Sequence, residues 1–469
     1  MALRTRYRYR WLLVGLVMSL SLESSVGFAQ TVSAASLPRT APEESKPDTP
    51  DLWNKNTLLG DWGGLRPLLD NYGITFTLNQ TSDYVGNTQG GMRQGFIYDG
   101  LLNLDVDVDL SKSLGWRGGR FHISGYGIQG QDLSTNYIGN MMTATNVESQ
   151  PSIAKLGEIW LEQRLLDARI GIRGGLLEAD RYYMISPTAG VFINSTFGFP
   201  DAWEVTMPGG GPGYPNATPG ALLTFQPTAA WTLTASIMNG SPIGPNTSST
   251  RYGTEFPVGD GVLSWAETAF TPHLQLGTKT LPGTYKVGGW YNSARVDNVT
   301  LVESGRTFTN PINQNYRGQY ALYGLLDQAL WRESDTENQG LNSFFRVTYN
   351  PQQNRNLVTW YFDTGLAYTG LFDGRPEDVI GLGFAWAKIT PYLSGPIAAE
   401  NTLAGTQTPM PTAESLIELT YQAPISPWLS LQPFFQYAMS PAGKAPMPSN
   451  PNQAIPNATV VGVRANISF

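Results

Sequence analysis

The chain has no cysteine and only two histidines, His122 and His273, in 469 residues. Without cysteine there are no disulfides and no thiolate metal sites. Two histidines are too few for a multi-histidine zinc site and argue against most histidine-based catalysis. Both lie in strand-like text and are expected to be ordinary strand residues. No metal and no cofactor is expected. After the first thirty residues no apolar run approaches the ~20 residues that a membrane-spanning helix needs. Phosphate and hydrolase signatures are missing too. Gly209-Gly210-Gly211 has no P-loop lysine, and Ser195 lacks a G-x-S-x-G setting.

The N-terminus points to export. Arg4, Arg6, Arg8 and Arg10 precede an apolar stretch from Trp11 to Leu22 and a small-residue cleavage site at Gly27-Phe28-Ala29. Residues 1–29 are therefore expected to be a Sec-type signal peptide, too short to serve as an anchor helix. That leader carries four arginines and one glutamate, so its removal takes the formal charge from −7 to −10. An acidic chain argues against nucleic acid as a partner. Residues 30–57, rich in Pro, Ser and Thr, read as a disordered tether. Residues 58–73 read as a short periplasmic segment with a helix near Leu65–Leu69, lying against a rim.

Glycine (51), proline (33) and aromatics (12%) are all plentiful, which suits many strands joined by many turns. The organising stretch is LGEIWLEQRLLDARIGIRGG, Leu156 to Gly175. Ile159, Leu161 and Leu165 alternate with Glu158, Trp160, Glu162 and Arg164. Beyond a break at Leu166-Asp167, Ala168, Ile170 and Ile172 alternate with Arg169, Gly171 and Arg173. A period of two means strand. The polar face holds two acids, three arginines and a tryptophan. Leu102 to Leu110 repeats the habit, with Asn103, Asp105, Asp107 and Asp109 on one face. A dry core would not tolerate that run of like charges. The polar face is thus either the wet outside of a soluble sandwich or the wall of a water-filled barrel.

Spacer lengths favour the barrel. Short turns are expected near Ser111–Gly118, Leu166–Asp167, Pro227–Ala230, Lys279–Gly283, Phe372–Glu377 and Pro424–Pro427. Long loops are expected over Asp132–Ala154, Glu178–Pro219, Ser241–Asp260, Arg295–Asn315, Tyr392–Pro411 and Pro441–Asn457. Short turns at one rim and long loops at the other are the build of outer-membrane barrels. The expectation is an all-β, transmembrane antiparallel β-barrel over residues 74–469, with about sixteen strands, short periplasmic turns and long extracellular loops. The last strand ends on Phe469, mid-alternation, as terminal strands of outer-membrane proteins do.

The candidate channel-wall residues are Glu158, Trp160, Glu162, Arg164, Arg169 and Arg173, with Asp105 and Asp107. A two-residue turn at Leu166-Asp167 would set Glu162 opposite Gly171 and Trp160 opposite Arg173. Carboxylates beside guanidinium groups suit a neutral polyol, whose hydroxyls both donate and accept, and an indole face can carry the apolar side of a sugar ring. The alternatives are lumen cross-bracing for the charges and an interface belt for Trp160. Asp105 and Asp107 read as a hydrated wall rather than a calcium site.

These residues resemble the carbohydrate-selective outer-membrane porins of Gram-negative bacteria, the OprB family. The resemblance rests on GDWGGLRPLLDNYGI (Gly60 to Ile74), LNLDVDVDLSKSLGWRGGRFHISGYGIQG, the organising hairpin, FINSTFGFP (Phe192 to Pro200), YFDTGLAYTGLFDGRPEDVIGLG (Tyr361 to Gly383) and the terminal strand. It implies a sixteen-stranded barrel in the outer membrane for passive diffusion of glucose-like mono- and small oligosaccharides, narrowed by inward loops and charged wall residues. The partners implied are sugar solutes and outer-membrane lipid, with the protein a monomer or a homotrimer. The alternatives are a porin of the same family for another small polar solute and, in a different class, a secreted all-β carbohydrate-binding protein or glycosidase, the enzyme needing two carboxyls set across a cleft.

Overall fold

Alternating apolar and polar residues become strands whose two faces meet different surroundings. The computed structural model describes residues 52–148, 152–242, 251–259, 261–276, 279–299, 315–333 and 338–469. The expected leader and most of the expected tether lie outside the described residues. Sixteen antiparallel staves succeed one another: β1 (Ile74–Gln89), β2 (Gly95–Asp109), β3 (Gly119–Gly130), β4 (Ala154–Leu165), β5 (Ile170–Leu177), β6 (Thr218–Thr228), β7 (Trp231–Asn239) and β8 (Val262–Phe270). Then come β9 (Lys279–Asp297), β10 (Asn315–Arg332), β11 (Gly340–Tyr349), β12 (Val358–Thr369), β13 (Val379–Ile389), β14 (Ala413–Ser426), β15 (Leu429–Met439) and β16 (Ala458–Ser468). β8 breaks at Thr271-Pro272 and resumes over His273–Leu276, and both pieces pair with β9. Each strand pairs with its neighbour in sequence, and β1 pairs with β16 from Asn79↔Ser468 to Gln89↔Thr459. The sheet is therefore a closed barrel with no free edge.

The partition of faces follows the sequence pattern. Glu158, Trp160 and Glu162 are buried on the inside, while Leu161, Leu165 and Ile172 are exposed outside. On β12, Tyr361 and Asp363 point in while Trp360 and Leu366 point out; on β14, Glu418 and Thr420 oppose Ile417 and Leu419. β8 and β10 run unbroken through Ser264–Ala269 and Gln319–Ala329, where apolar and polar residues alternate less cleanly in the sequence.

Three local expectations are corrected. The β4–β5 turn takes four residues rather than two, with Leu166, Asp167 and Ala168 at φ 52°, 53° and 67°. The register moves by two, which preserves each face and changes each partner: Glu162 stands opposite Arg173, and Trp160 opposite Gly175. The Ser111–Gly118 connection opens with a five-residue helix, Leu110–Leu114, whose first turn is capped by Asp109 through the Ser111 amide at 2.9 Å. Asp109 is thus a cap at the rim, not a wall residue. The turn expected at Lys279–Gly283 is strand, because the β8–β9 hairpin runs on past the ring of short turns.

The segment before β1 forms a helix over Leu65–Asn71. It is held at the closing seam: the Leu58 amide donates to the Ser468 carbonyl at 2.8 Å, and Trp53 stacks on Trp428 at 5.9 Å.

Loop residues 131–148 and 178–217 turn into the barrel. Tyr183, Met184, Phe192, Phe197 and Trp203 pack there against inward aromatics of β8 to β12. Trp203 lies 5.0 Å from Trp265 and 5.3 Å from Tyr323, ring centre to ring centre. One side of the lumen is therefore a packed core, and the opposite side, along β2 to β5, stays open.

Candidate solute constriction

The open side is a cavity of about 760 Å³ between the β2–β5 wall and the inward loops. Period-two alternation puts Asp105, Asp107, Arg120, His122, Glu158, Trp160, Arg164 and Arg173 on one inward surface, and all of them line the cavity. Three guanidinium groups converge on one buried carboxylate: Arg164 at 3.1 Å, Arg173 at 3.2 Å and Arg120 at 3.7 Å from Glu162. Arg120 also reaches Asp107 at 4.0 Å. Such a network fixes long side chains that would otherwise wander, so the bore has a defined outline.

A second network ties the wall to the loop. Arg181 reaches Glu178 at 2.9 Å, Asp105 at 3.6 Å and Glu158 at 4.0 Å, and donates to the Tyr126 hydroxyl at 2.8 Å. The Glu178 amide donates to Glu158 at 2.8 Å, and the Tyr182 hydroxyl donates to the same carboxylate. Burial pushes the Glu178 carboxyl up to about 8, although Arg181 beside it works the other way. Trp160 is held on all sides. Its indole N–H donates to Glu158 at 3.0 Å, His122 stacks on it at 4.9 Å, and the Arg173 guanidinium sits 3.8 Å from its ring centre. At 6% exposure it presents an edge rather than an open face.

On the far side the inward charges do a different job. Glu418 accepts the Ile193 and Asn194 amides at 2.7 and 2.9 Å, and Glu414 accepts those of Met141 and Met142 at 2.8 Å each. Asp327 accepts the Thr188 amide at 3.0 Å, and Glu267 the Met184 amide at 2.8 Å. The loops also hold each other: Asp201 accepts the Thr143 amide at 2.6 Å, and burial pushes its carboxyl up to about 7. These wall groups do not face water; they clasp the loops that narrow the lumen.

A sixteen-stranded barrel with a charged, loop-narrowed bore places the chain among porins. Residues 93–469 match the carbohydrate-selective porin, OprB family. The chain belongs to that family. It is 25% identical over 444 residues to Porin B of Pseudomonas aeruginosa, covering 89% of this chain and 92% of that protein. It is also 25% identical over 449 residues to the putative porin QuiX of Acinetobacter baylyi, covering 89% and 95%. The high-pH structure of Pseudomonas putida OprB superposes with a TM-score of 0.77 at 23% identity, over 89% of this chain and 99% of that one. The protein is thus a channel of the Gram-negative outer membrane, and the secreted lectin or glycosidase reading falls.

Within this OprB-family channel, Asp105, Asp107, Glu158, Trp160, Arg164 and Arg173 come together at the cavity. Glu162 lies just behind them, beneath its three arginines. Arg169 does not join: it falls in the β4–β5 turn, exposed at the rim. His122, expected to be an ordinary strand residue, instead lies 3.0 Å from Asp107 and 3.5 Å from Asp105. Arg120, Tyr126, Glu178, Arg181 and Tyr182 were not anticipated. Arg120 and His122 alternate in RFHIS and so share a face with the predicted wall, a signal that was present. Arg181 and Tyr182 sit in a loop, where no periodicity marks which side chains turn inward.

Proposed function

We propose that the protein carries carbohydrates, glucose-like monosaccharides and small oligosaccharides, passively across the outer membrane, with the β2–β5 wall as its selectivity surface. The supporting observation is the convergence of Arg120, Arg164 and Arg173 on Glu162 beside Asp107 in a cavity of about 760 Å³. Arginine N–H groups donate to sugar oxygens and Asp107 accepts from hydroxyls, so each hydroxyl shed of water finds a replacement partner. Cations and carboxylates interleaved at hydrogen-bond range order water and polyols without holding an ion of either sign. Trp160 serves as a backing plate that positions Arg173 and His122. The solute moves down its gradient with no reaction step and no cofactor. The outward aliphatic face meets lipid acyl chains, and since one chain encloses one bore, a single copy is sufficient for permeation.

Trp160→Ala combined with Glu162→Ala, measured by sugar block of single-channel current, tests the reading. Block should weaken about tenfold, the equivalent of one or two lost hydrogen bonds. Unchanged block would remove this wall from the selectivity surface. Liposome swelling with mono- and disaccharides and organic acids tests the solute class itself.

A further inference from the structure

The helix over Leu65–Asn71 carries an apolar stripe that nothing in the barrel uses. Leu65, Leu68, Leu69 and the C-cap Tyr72 fall at spacings of three, four and seven, the single apolar face of an amphipathic helix. A helix on a soluble domain buries such a face. Here no residue of the helix is buried, and Leu65, Leu68 and Tyr72 are 44%, 51% and 61% exposed. Off the stripe, the Arg66 guanidinium donates to the Phe469 carbonyl and lies 4.7 Å from the Trp62 ring centre. The helix therefore turns its polar side to the end of β16 and its leucines away from the protein.

The register shows on which side of the sheet this happens. Phe76 stands opposite Val106 and Leu78 opposite Leu104. Directly opposed residues share a face, and Asp105 and Asp107, which alternate with them, line the cavity. Phe76 thus looks outward. The Trp62 ring is centred 6.1 Å from it, so the segment lies on the outside of the barrel and does not cap the bore. It does so at the rim of short turns, where Trp116, Leu166 and Trp231 are exposed as well.

We propose that residues 58–72 form an interfacial anchor seated in the periplasmic phospholipid leaflet, with the Leu65–Leu68–Tyr72 stripe at the headgroup–acyl boundary. The occupant is lipid because the stripe continues the outward apolar face of the strands, the surface that acyl chains already cover. Tyr72 suits the headgroup level, and Asp61 and Asp70, exposed and off the stripe, are left to water. The Leu58 amide is bonded to the Ser468 carbonyl at 2.8 Å, so a lipid-held segment also clamps the seam where β16 meets β1.

The chain has no cysteine, so single cysteines can report the depth of the helix. The full-length protein, labelled at one cysteine with an NBD fluorophore, is reconstituted in vesicles of phosphatidylethanolamine and phosphatidylglycerol. Lipid spin-labelled at the headgroup end of its acyl chain should quench Leu65→Cys, Leu68→Cys and Tyr72→Cys about threefold more than Asp61→Cys and Asp70→Cys. Aqueous iodide should give the opposite order. Lipid quenching equal at the two sets, or iodide quenching greater on the stripe, overturns the proposal, since the stripe then faces periplasmic water. Shielding of the stripe from both quenchers overturns it too, and shows that a second copy or another stretch of this chain covers the helix. Absence of lipid quenching at Leu161→Cys would instead contradict the lipid-facing strands on which the proposal rests. The three stripe positions are read independently, so failure of one variant to fold leaves the test intact.

Discussion

At the scale of single residues, the wall's charges divide into those that meet the cavity and those that hold the protein together. Arg346 is of the second kind. It is fully buried, pairs with Asp363, and donates to the carbonyls of Met184, Thr196, Phe197 and Gly198 at 3.1, 2.9, 3.0 and 2.8 Å. Only the planar fork of arginine can serve a carboxylate and several carbonyls at once. Arg346→Ala leaves Asp363 buried without its partner and should cost about 3–5 kcal/mol, read as a lower unfolding midpoint in detergent. Arg346→Lys should recover only part of this, and a midpoint equal to wild type in either variant would contradict the assignment. In the sequence, Arg346 in FFRVTY looks like any lumen arginine. Nothing local distinguishes a residue that faces water from one that a distant loop will cover.

At the scale of elements, each inward loop sets a pair of consecutive amides on a wall carboxylate, Ile193–Asn194 on Glu418 and Met141–Met142 on Glu414. A carboxylate accepting two N–H groups positions a loop in two directions, and its removal leaves both donors unpaired. Glu418→Ala should free the Ile193–Asn194 stretch, giving a larger and noisier single-channel conductance and faster hydrogen exchange at those two amides. Quiet wild-type conductance would show that the aromatic packing of Phe192, Phe197 and Trp203 suffices by itself. The strands of this assembly were legible because a period of two survives in β2, β4, β5, β12 and β14. The inward course of the loop was not, because its aromatics follow no repeat and its anchors lie far away in sequence, from 83 residues for Glu267 against Met184 to 225 for Glu418 against Ile193. The β4–β5 register was missed by two residues for a related reason: three consecutive left-handed residues at Leu166, Asp167 and Ala168, none of them glycine, leave no turn signature.

At the scale of the whole molecule, the closed sheet turns a simple alternation into two environments separated by one backbone thickness. The outer face displays Leu161, Ile172, Leu322, Leu366 and Leu382, all exposed, where the inner face carries acids, amides and guanidinium groups. Membrane-spanning barrels require this polarity, since every backbone amide is paired within the sheet and only the outward side chains meet lipid. The absence of native cysteine lets the partition be read directly by single-cysteine labelling of the protein in planar bilayers with a charged, water-soluble thiosulfonate. Asp107→Cys and Arg164→Cys should react and change the single-channel current stepwise, while Leu161→Cys and Leu366→Cys should stay unlabelled with current unaltered. Labelling at Leu161 and Leu366 with silence at Asp107 and Arg164 would contradict the account.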